Sequence, residues 1–189
     1  MTKSEANQVC TFETYLTLDQ EQRSELVDGE LIMMNPPNLE HFLITKFIEQ
    51  TLDAEIERLQ QPWMCFREAG VRTTVHHSRI ADVCVVTLDQ AKALSGISIV
   101  FQTPPLLAVE VISLDTVKRD YRYKRSEYAA LGIPEYWIVD PLHSRVIVLD
   151  LNEGLYDERE VASAAPVQSK LFQALNLRAA DLLGAGAID

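Results

Sequence analysis

The sequence predicts a single α/β domain in which a mixed β-sheet is flanked by helices. Its 189 residues are enough for one domain with a substantial core and few for two. Hydrophobic residues make up 47% of the chain, so an apolar core can form without disulfides or metals. Strand-like and helix-like patterns alternate without an internal repeat or a flexible linker. We expect residues 1–16 to form a loose arm and residues 17–189 to form the domain.

The composition argues against several classes of protein. The formal net charge of −11 disfavours a chain wrapped broadly in nucleic acid, although one local basic face is compatible with it. Cys10, Cys65 and Cys84 are odd in number and widely spaced, as expected in a reducing cytoplasm rather than in a disulfide framework or a zinc site. No apolar run reaches the roughly 18 residues of a membrane-spanning helix, and the first residues lack the apolar stretch of a signal peptide. A soluble, cytoplasmic protein is therefore expected.

The N-terminal part predicts a short helix, a hairpin and a long helix. Residues 17–24 can form the short helix, because capping residues stand at its start. Asp28-Gly29 lies between two apolar flanks, which is the strongest short signal for a hairpin. Asn38 can cap the long helix, since apolar residues recur at helical spacing over 39–60.

The middle of the chain alternates between strands and helices. Residues 63–66 and 71–75 are typical of two strands joined by a turn, and residues 80–88 form an apolar run broken by a single charge. A short helix is expected at 91–96. The run LLAVEVIS, residues 106–113, is typical of a central strand that is buried on both faces.

The C-terminal part predicts a helix followed by more strands. Residues 115–131 are expected to form a helix with a basic first half, ended by Gly132. EYWIVDP, residues 135–141, predicts a further apolar strand. A hairpin over 145–161 can extend the sheet, and a short helix near 179–183 closes the chain.

Two carboxylates stand inside strand-like apolar runs, where a charge is unexpected: Asp82 in RIADVCVV and Glu110 in LLAVEVIS. Removing a carboxylate from water costs several kcal/mol unless something pairs with it. If both acids reach the same end of neighbouring strands, they form an oxygen-rich pocket of the kind that Mg²⁺ prefers. The ordinary alternative is that Asp82 caps a turn and that Glu110 pairs with a core arginine such as Arg79 or Arg145. Spacing alone leaves both interpretations open.

The segment KRDYRYKR, residues 118–125, is a basic cluster in an acidic protein and directly follows the strand of Glu110. Cations beside an acidic pocket suit a phosphodiester, whose backbone must be held against a metal site. On a helix, Tyr121, Lys124 and Arg125 are expected near one face. The alternative is a solvated helix face that pairs with the protein's many carboxylates.

A resemblance to a known family is carried by four stretches, which are, in chain order, ELVDGELIMMNPPNLEH, ADVCVV, PPLLAVEVIS and YKRSEYAALGIPEYWIVDP. They resemble the Uma family of bacterial proteins described as restriction endonucleases, within the PD-(D/E)XK nuclease superfamily. The likeness runs in order from about Glu25 to Asp140 and continues more loosely beyond. It implies a restriction-endonuclease-like fold, with helices on both faces of a mixed sheet.

The resemblance also implies the catalytic set Asp82, Glu110 and Lys124. Asp82 matches the Asp of the first half of the superfamily motif, and Glu110 matches the acid of the second half. Ile112 stands where that motif has its lysine. The resemblance implies that Lys124 of the following helix replaces it, with Lys118 as a competitor.

The activity implied is that of an endonuclease that hydrolyses phosphodiester bonds in nucleic acid, DNA rather than RNA, with a Mg²⁺-activated or Mn²⁺-activated water. The metal would be held by Asp82, Glu110 and the main-chain carbonyl of Ile112. Glu25, Glu30 and His41 fall in the family's N-terminal block, and of these Glu30 and His41 are kept as candidates for an extra acid or a substrate contact. Flanking phosphates would be gripped by Arg119, Arg122 and Arg125.

Two other interpretations stay open, and both involve self-association. The first is a catalytically inactive nuclease-fold protein that binds nucleic acid or a protein partner as a dimer, which the missing lysine at position 112 and the acidic charge favour. The second is a structural homodimer that buries the exposed edge of the C-terminal hairpin. A serine or thiol hydrolase and an ATPase are not expected, because the sequence has neither a G-x-S-x-G elbow nor a Gly-rich phosphate loop.

Overall fold

The computed structural model describes residues 9–18, 23–96 and 98–188, and these residues form five α-helices and one nine-stranded sheet. The helices are α1 (Phe12–Thr17), α2 (Leu39–Leu59), α3 (Leu88–Ala93), α4 (Arg125–Leu131) and α5 (Ala179–Gly184). The strands are β1 (Ser24–Val27), β2 (Glu30–Met33), β3 (Trp63–Arg72), β4 (Ser78–Thr87), β5 (Val100–Phe101), β6 (Leu107–Val111), β7 (Glu135–Asp140), β8 (Arg145–Asn152) and β9 (Leu155–Val161).

The sheet mixes parallel and antiparallel neighbours. Along its main path the strands follow the order β2, β1, β4, β6, β7, β8, β9. Off this path, β3 pairs with β4, and β5 pairs with β3. The central neighbours β6 and β7 are parallel, and the chain crosses between them through the helical segment 119–131. The other neighbours on the main path are antiparallel. A mixed sheet with a helical crossover at its centre confirms the predicted fold class.

Helices cover both faces of the sheet and create a core on each. On one face, α2 and α5 pack against the central strands in a core that includes Leu52, Val109 and Trp137. On the other face, α4 packs in a core that includes Tyr128 and Tyr136. A fully buried aliphatic side chain such as Leu52 contributes about 1.5–3 kcal/mol relative to an exposed one. These two cores fix the positions of the helices from which the candidate site is reached.

The predicted hairpin and long helix are confirmed. Asp28 and Gly29 join β1 to β2 with φ values of 51° and 80°, the left-handed conformations that a tight hairpin turn requires. The Oδ1 atom of Asn38 caps α2 by accepting a hydrogen bond from the main-chain N of His41 at 2.8 Å. Across the described ranges, every helix is too short or too polar to traverse a bilayer.

The first helix corrects the expectation of a loose arm for residues 12–16, whereas residues 1–8 of the predicted arm lie outside the described part. Residues 12–17 form α1, whose Phe12 and Tyr15 are buried against Leu26. Two aromatic side chains on one helical face bury enough apolar surface to hold this segment on the sheet. The helix predicted over 17–24 does not match, because Thr17 ends α1 and β1 begins at Ser24; residues 19–22 lie outside the described part.

The predicted turn between residues 66 and 71 is wrong. Trp63–Arg72 is one strand, which pairs with β4 almost throughout. Pairing with a long neighbour overrides the local turn signal, since β-propensity depends strongly on context. Within the predicted turn, Glu68 does have a left-handed backbone conformation, with a φ of 56°. Beyond β4, α3 begins earlier than predicted because Thr87 caps it.

The helix predicted over 115–131 is only partly confirmed. Residues 119–124 form a π-helical segment, and α4 follows it from Arg125 to Leu131. Gly132 ends α4 as predicted, with a φ of 90°. A π-helical turn is wider than an α-helical one and occurs frequently at functional sites.

The π-helical segment also corrects the predicted helix face. Asp120 and Lys124 are buried, and Tyr128, four residues further on, is buried with them. Tyr121 and Arg125 are only half-buried, so they do not share the inward face of Lys124.

The predictions for the C-terminal third are confirmed. EYWIVD forms β7, β8 and β9 form a hairpin, and α5 covers Ala179–Gly184. The hairpin turns at Glu153 and Gly154, whose φ values are 47° and 82°.

Glu135 is a buried carboxylate at the start of β7 that ties the C-terminal segment to the sheet. It accepts hydrogen bonds from Trp137 Nε1 at 2.6 Å and from the main-chain N atoms of Lys170 and Leu171 at 2.9 and 3.0 Å. A buried acid inside a strand can therefore serve structure alone, because three donors satisfy it.

We predict that Glu135→Ala lowers the free energy of unfolding by about 3 kcal/mol, since it leaves one buried donor, of Trp137, and two partly buried main-chain donors without an acceptor. Urea denaturation followed by circular dichroism measures the loss. The control is Glu57→Ala on the exposed side of α2, which we expect to change stability by less than about 0.5 kcal/mol. Equal effects of the two substitutions would contradict the structural role of Glu135.

Candidate active site

The candidate site lies at a gap along one edge of β4. The edge of β4 that faces away from β3 pairs with β1 at Ser78 and with β6 over residues 83–85. Between these contacts, residues 79–82 have no strand partner on that edge within the described parts of the chain. Main-chain groups in a buried position must find other partners. Side chains of Glu25 and Lys124 supply them: Ile80 N donates to Glu25 at 3.1 Å, and Ile80 O accepts from Lys124 at 2.7 Å.

Lys124 lies at the centre of this gap. Its ammonium donates to Oε2 of Glu110 at 2.7 Å as well as to the carbonyl of Ile80. The carboxylates of Asp120 and Glu25 lie 3.5 and 3.6 Å from the same nitrogen. The lysine is fully buried, so one ammonium is surrounded by three carboxylates in a region shielded from water.

Glu110 is held by two donors from the helical segment. Besides Lys124, the hydroxyl of Tyr128 donates to its Oε1 at 2.8 Å. Glu110 is only 1% exposed, and Tyr128 approaches from the same face of the sheet as Lys124. The predicted partners Arg79 and Arg145 are not those of Glu110, because they bind other acids.

The electrostatics of the gap reflect burial and an excess of negative charge. Burial raises the pKa of Glu110 well above its ordinary value, and the charges of Asp82 and Asp120 raise it further, against the opposing effect of Lys124. Burial likewise raises the pKa of Asp120. For Lys124, burial would lower the pKa, but the charges of Glu110, Asp120 and Glu25 raise it. The lysine is therefore held in its charged form, while the carboxylates repel one another.

Asp82 stands at the rim of the gap. Its Oδ2 accepts hydrogen bonds from the main-chain N of Val111 at 2.7 Å and from Nε2 of His41 at 3.1 Å. His41 belongs to the first turn of α2, so Asp82 is contacted from the opposite face to Glu110. The side chains of Asp82 and His41 are 16% and 14% exposed, which makes them the open part of the site. The turn-capping alternative for Asp82 is wrong, since Asp82 lies inside β4.

The contact between Asp82 and His41 favours the charged form of each partner. Burial would raise the pKa of Asp82, but the hydrogen bond and charge of His41 lower it, with a further contribution from Lys124. Burial would lower the pKa of His41, and the contact with Asp82 raises it instead. Both shifts favour a protonated imidazole beside an ionised carboxylate.

A second network holds the inner wall of the gap. Arg79, 5% exposed, donates to Glu25 at 3.0 Å and to both carboxylate oxygens of Glu127. Burial would raise the pKa of Glu25, but Lys124, Arg119 and Arg79 lower it. Burial would raise the pKa of Glu127 too, and the hydrogen bond from Arg79 lowers it. Glu25 thus connects the core of the domain to Lys124.

The basic residues of 118–125 occupy different environments. Arg119 approaches Asp120 at 3.4 Å and Glu25 at 4.0 Å, and Arg125 pairs with Glu158 at 2.5 Å. Arg122 is exposed and makes no ion pair with any described residue; its guanidinium lies 5.9 Å from the Tyr123 ring. Lys118 is exposed as well, and its Nζ lies 5.6 Å from the same ring rather than in the gap.

The remaining predicted residues differ in their distance from the gap. Ile112 follows β6 directly, with its side chain buried and its N bonded to the carbonyl of Val139. Glu30 is exposed on β2, which β1 separates from β4. His41 reaches Asp82, whereas Glu30 does not reach the gap through any contact in the described structure.

The sequence analysis missed Asp120 and Tyr128. Both contact the Lys124–Glu110 pair, and their spacing of four residues on either side of Lys124 is the signal that could have identified them.

The oxygen donors at the gap suit a hard divalent cation in chemistry and in charge, because Asp82 and Glu110 are carboxylates on adjacent strands whose negative charges act on each other. In the conformation described here, Glu110 is directed to Lys124 and Tyr128, and Asp82 is directed to His41. Within the described ranges, no three or more His, Cys, Asp or Glu side chains are grouped to hold a metal. The predicted set contains two carboxylates and takes its third oxygen from the main chain.

Comparisons with known proteins agree with this architecture. A family model described as "Uma2: Putative restriction endonuclease" matches residues 12–180. A crystal structure of a putative nuclease belonging to DUF820, from Anabaena variabilis ATCC 29413, superposes with a TM-score of 0.77 at 20% identity. The alignment covers 94% of this chain and 99% of that one. A search of curated proteins found no match. At this identity the structural likeness supports the fold, which confirms the predicted restriction-endonuclease-like architecture.

We predict that Arg79→Met destabilises the protein in a pH-dependent manner. At pH 7 the loss should be about 3 kcal/mol, because two buried carboxylates lose their partner. The lowered pKa values of Glu25 and Glu127 contribute stability above the unfolded-state pKa, and that stability disappears as the pH falls through the folded-state values. The difference between the wild type and the variant should therefore shrink at pH 3.5.

Urea unfolding at both pH values measures this difference. Arg58→Met is the control, because the Arg58 side chain, which pairs with Glu55 on α2, is itself 53% exposed; we expect a loss below about 1 kcal/mol. A loss for Arg79→Met that does not change with pH would rule out the linkage.

Proposed function

Because the chain belongs to the Uma2 family of putative restriction endonucleases, we propose that it hydrolyses phosphodiester bonds of nucleic acid, DNA rather than RNA, at the gap in β4. Asp82, Glu110 and Lys124 are the proposed catalytic residues. The observation that carries this proposal is the 2.7 Å contact between Lys124, from the helical segment, and Glu110, from a central strand. It supports the migration of the catalytic lysine from position 112 to position 124.

We assign the metal, Mg²⁺ or Mn²⁺, to Asp82, Glu110 and the main-chain carbonyl of Ile112. An ion bound there supplies polarisation of a phosphate oxygen and a lower pKa for an attacking water. The carboxylates contribute hard oxygen donors on adjacent strands, since Asp82 binds the main chain one residue beyond Glu110.

Lys124 orients the attacking water or stabilises the negative charge that develops on the phosphate. Its raised pKa keeps it cationic at neutral pH. Because Lys124 and Glu110 are buried whereas Asp82 and His41 are partly exposed, the substrate would approach from the side of Asp82. His41 would hold the Asp82 carboxylate in place and meet the substrate at the rim.

Arg122 is the best-supported phosphate contact of the three proposed arginines, because it is exposed at the surface of the π-helical segment. Arg119 and Arg125 would have to leave the acids that they contact, Asp120 and Glu158. Breaking these ion pairs would offset part of the free energy gained by binding a phosphate. Arg119 and Arg125 should therefore contribute less to substrate binding than Arg122 does.

A second candidate function is binding of nucleic acid or a protein partner without catalysis. The burial of Glu110 and Lys124, with both carboxylate oxygens engaged, favours it. A binding-only protein would keep this network as a structural element and would not need a metal at Asp82.

A homodimer stays a prediction under either function, and the sheet edges bear on where it would form. The C-terminal edge strand β9 carries the charged run Asp157–Glu160, which discourages strand pairing. The opposite edge strand β2 exposes Leu31, Ile32 and Met33, so it supports self-association better than the C-terminal hairpin does. Sedimentation equilibrium measures the molar mass.

We predict that the wild type nicks supercoiled plasmid in the presence of Mg²⁺ or Mn²⁺, and that Asp82→Asn, Glu110→Gln and Lys124→Met lower the rate about 100-fold or more. Lys118→Met, on the same segment but exposed, is the control and should keep its activity. Single-stranded DNA and RNA are assayed in parallel. Equal activity in all variants would point to contamination or to a different site.

We predict that Mn²⁺ binds the wild type and that Asp82→Asn weakens this binding about tenfold or more. Isothermal titration without nucleic acid measures the affinity, and Glu57→Gln on α2 is the control for surface carboxylates. Equal Mn²⁺ affinity in the wild type and Asp82→Asn, together with retained DNA binding, would favour the binding-only function.

A further inference from the structure

The pairing between β3 and β4 is interrupted opposite Asp82. Residues 63–67 pair with residues 83–87, and residues 69–72 pair with residues 78–81, in one common register. In that register Glu68 lies opposite Asp82. Within these two described strands, Glu68 and Asp82 do not form a strand pair, although the residues on either side of them do. An interruption flanked on both sides by regular pairing is a local feature of the strands rather than their end.

Glu68 adopts a backbone conformation that is unusual inside a strand. Its φ is 56°, in the left-handed region where the Cβ of an L-residue crowds the following carbonyl. The other non-glycine residues with positive φ in the described chain lie in turns or at helix ends: Asp28, Gln60, Ser144 and Glu153. Strained conformations of this kind persist where the surrounding structure enforces them, and they concentrate at functional sites.

Both strands rotate at this step. Along a regular strand, side chains three residues apart point to opposite faces. On β4, however, Ala81 and Cys84 pack into the same core. On β3, Phe66 and Ala69 also pack into that core. The alternation therefore changes phase in both strands at Glu68 and Asp82.

The rotation coincides with the opening of the gap. The last described pair between β4 and β6 is Val83 with Val109. Immediately beyond this pair, the carboxylate of Asp82 accepts a hydrogen bond from the main-chain N of Val111 at 2.7 Å. The next main-chain groups of β4, at Ile80, bind side chains instead of a strand. The change in side-chain alternation therefore lies at the point where the pairing of β4 with β6 ends and where Asp82 is directed towards Val111.

We propose that Glu68 is a positioning residue, whose left-handed backbone rotates the β3–β4 pair and aims the Asp82 carboxylate at Val111. The proposal deepens the proposed function, on which its kinetic consequence rests, by naming what holds the catalytic aspartate. The conformation of the backbone carries the effect. The side chain of Glu68 is 32% exposed and pairs with Arg23, and its charge also acts on His41. Substitutions that all remove this charge therefore isolate the effect of the backbone.

The test compares Glu68→Gly, Glu68→Ala and Glu68→Val. Glycine adopts positive φ without strain, alanine does so at a cost, and valine resists it most strongly. We expect Glu68→Gly to keep kcat within about twofold and Glu68→Val to lower it about tenfold or more with little change in KM. Amide hydrogen exchange of Val111 should accelerate about tenfold in Glu68→Val and stay near the wild-type rate in Glu68→Gly. Glu68→Ala should lie between them, and it provides the decisive comparison if the valine variant does not fold.

The matched control is Glu153, whose φ of 47° lies in the turn of the β8–β9 hairpin. Glu153→Gly and Glu153→Val should change stability in the same order as the Glu68 series but leave kcat and the exchange of Val111 unaltered. A Glu68→Gly variant as impaired as Glu68→Val would overturn the proposal, because it would assign the effect to the side chain. Unchanged exchange of Val111 throughout the Glu68 series would overturn it as well. A wild type without nuclease activity would sink the proposed function alone, since the exchange of Val111 is measured without substrate.

Discussion

The structure depends on one constraint: among the described residues, a stretch of buried strand main chain has no neighbouring strand along one edge, so side chains must satisfy its hydrogen bonds. Ile80 meets this constraint through Glu25 and Lys124. Because Lys124 also binds Glu110, the same ammonium completes the backbone hydrogen bonding and neutralises an acid that could not otherwise be buried. Loss of this one cation would leave a carbonyl and a carboxylate without a partner, so stability and the proposed chemistry share a residue.

Several irregularities of the fold become intelligible together once this gap is considered. The π-helical segment brings Asp120 and Lys124 to one buried side, and the rotation at Glu68 turns Asp82 to the rim. Neither is the lowest-energy choice for an isolated helix or strand. Both departures from regular secondary structure lie around the same cluster of buried charges. This indicates that the candidate site, rather than the packing of the core, determines the backbone conformation there.

The sequence could predict the fold class and the two acids, but not the mechanism of their burial. Asp82 and Glu110 were identifiable as charges in apolar runs, yet Glu135 and Asp140 in β7 are as buried as Glu110 and hold structural contacts. Lys124 was identifiable only through the family resemblance, because helical spacing alone does not distinguish it from the other basic residues of the 118–125 segment. The turn predicted within β3 failed since tertiary pairing extended the strand, although the left-handed residue that suggests a turn is present at Glu68.

The burial of Glu110 still leaves room for an exchange of partners. Lys124 has two further carboxylates, of Asp120 and Glu25, within 4 Å of its ammonium, so it can remain paired when Glu110 takes another partner. Such an exchange costs less than breaking an isolated buried ion pair, because the charge never becomes unpaired. The acids that surround Lys124 therefore do more than neutralise it. They let Glu110 change partner, as its proposed role as a metal ligand requires, while the lysine stays in the gap.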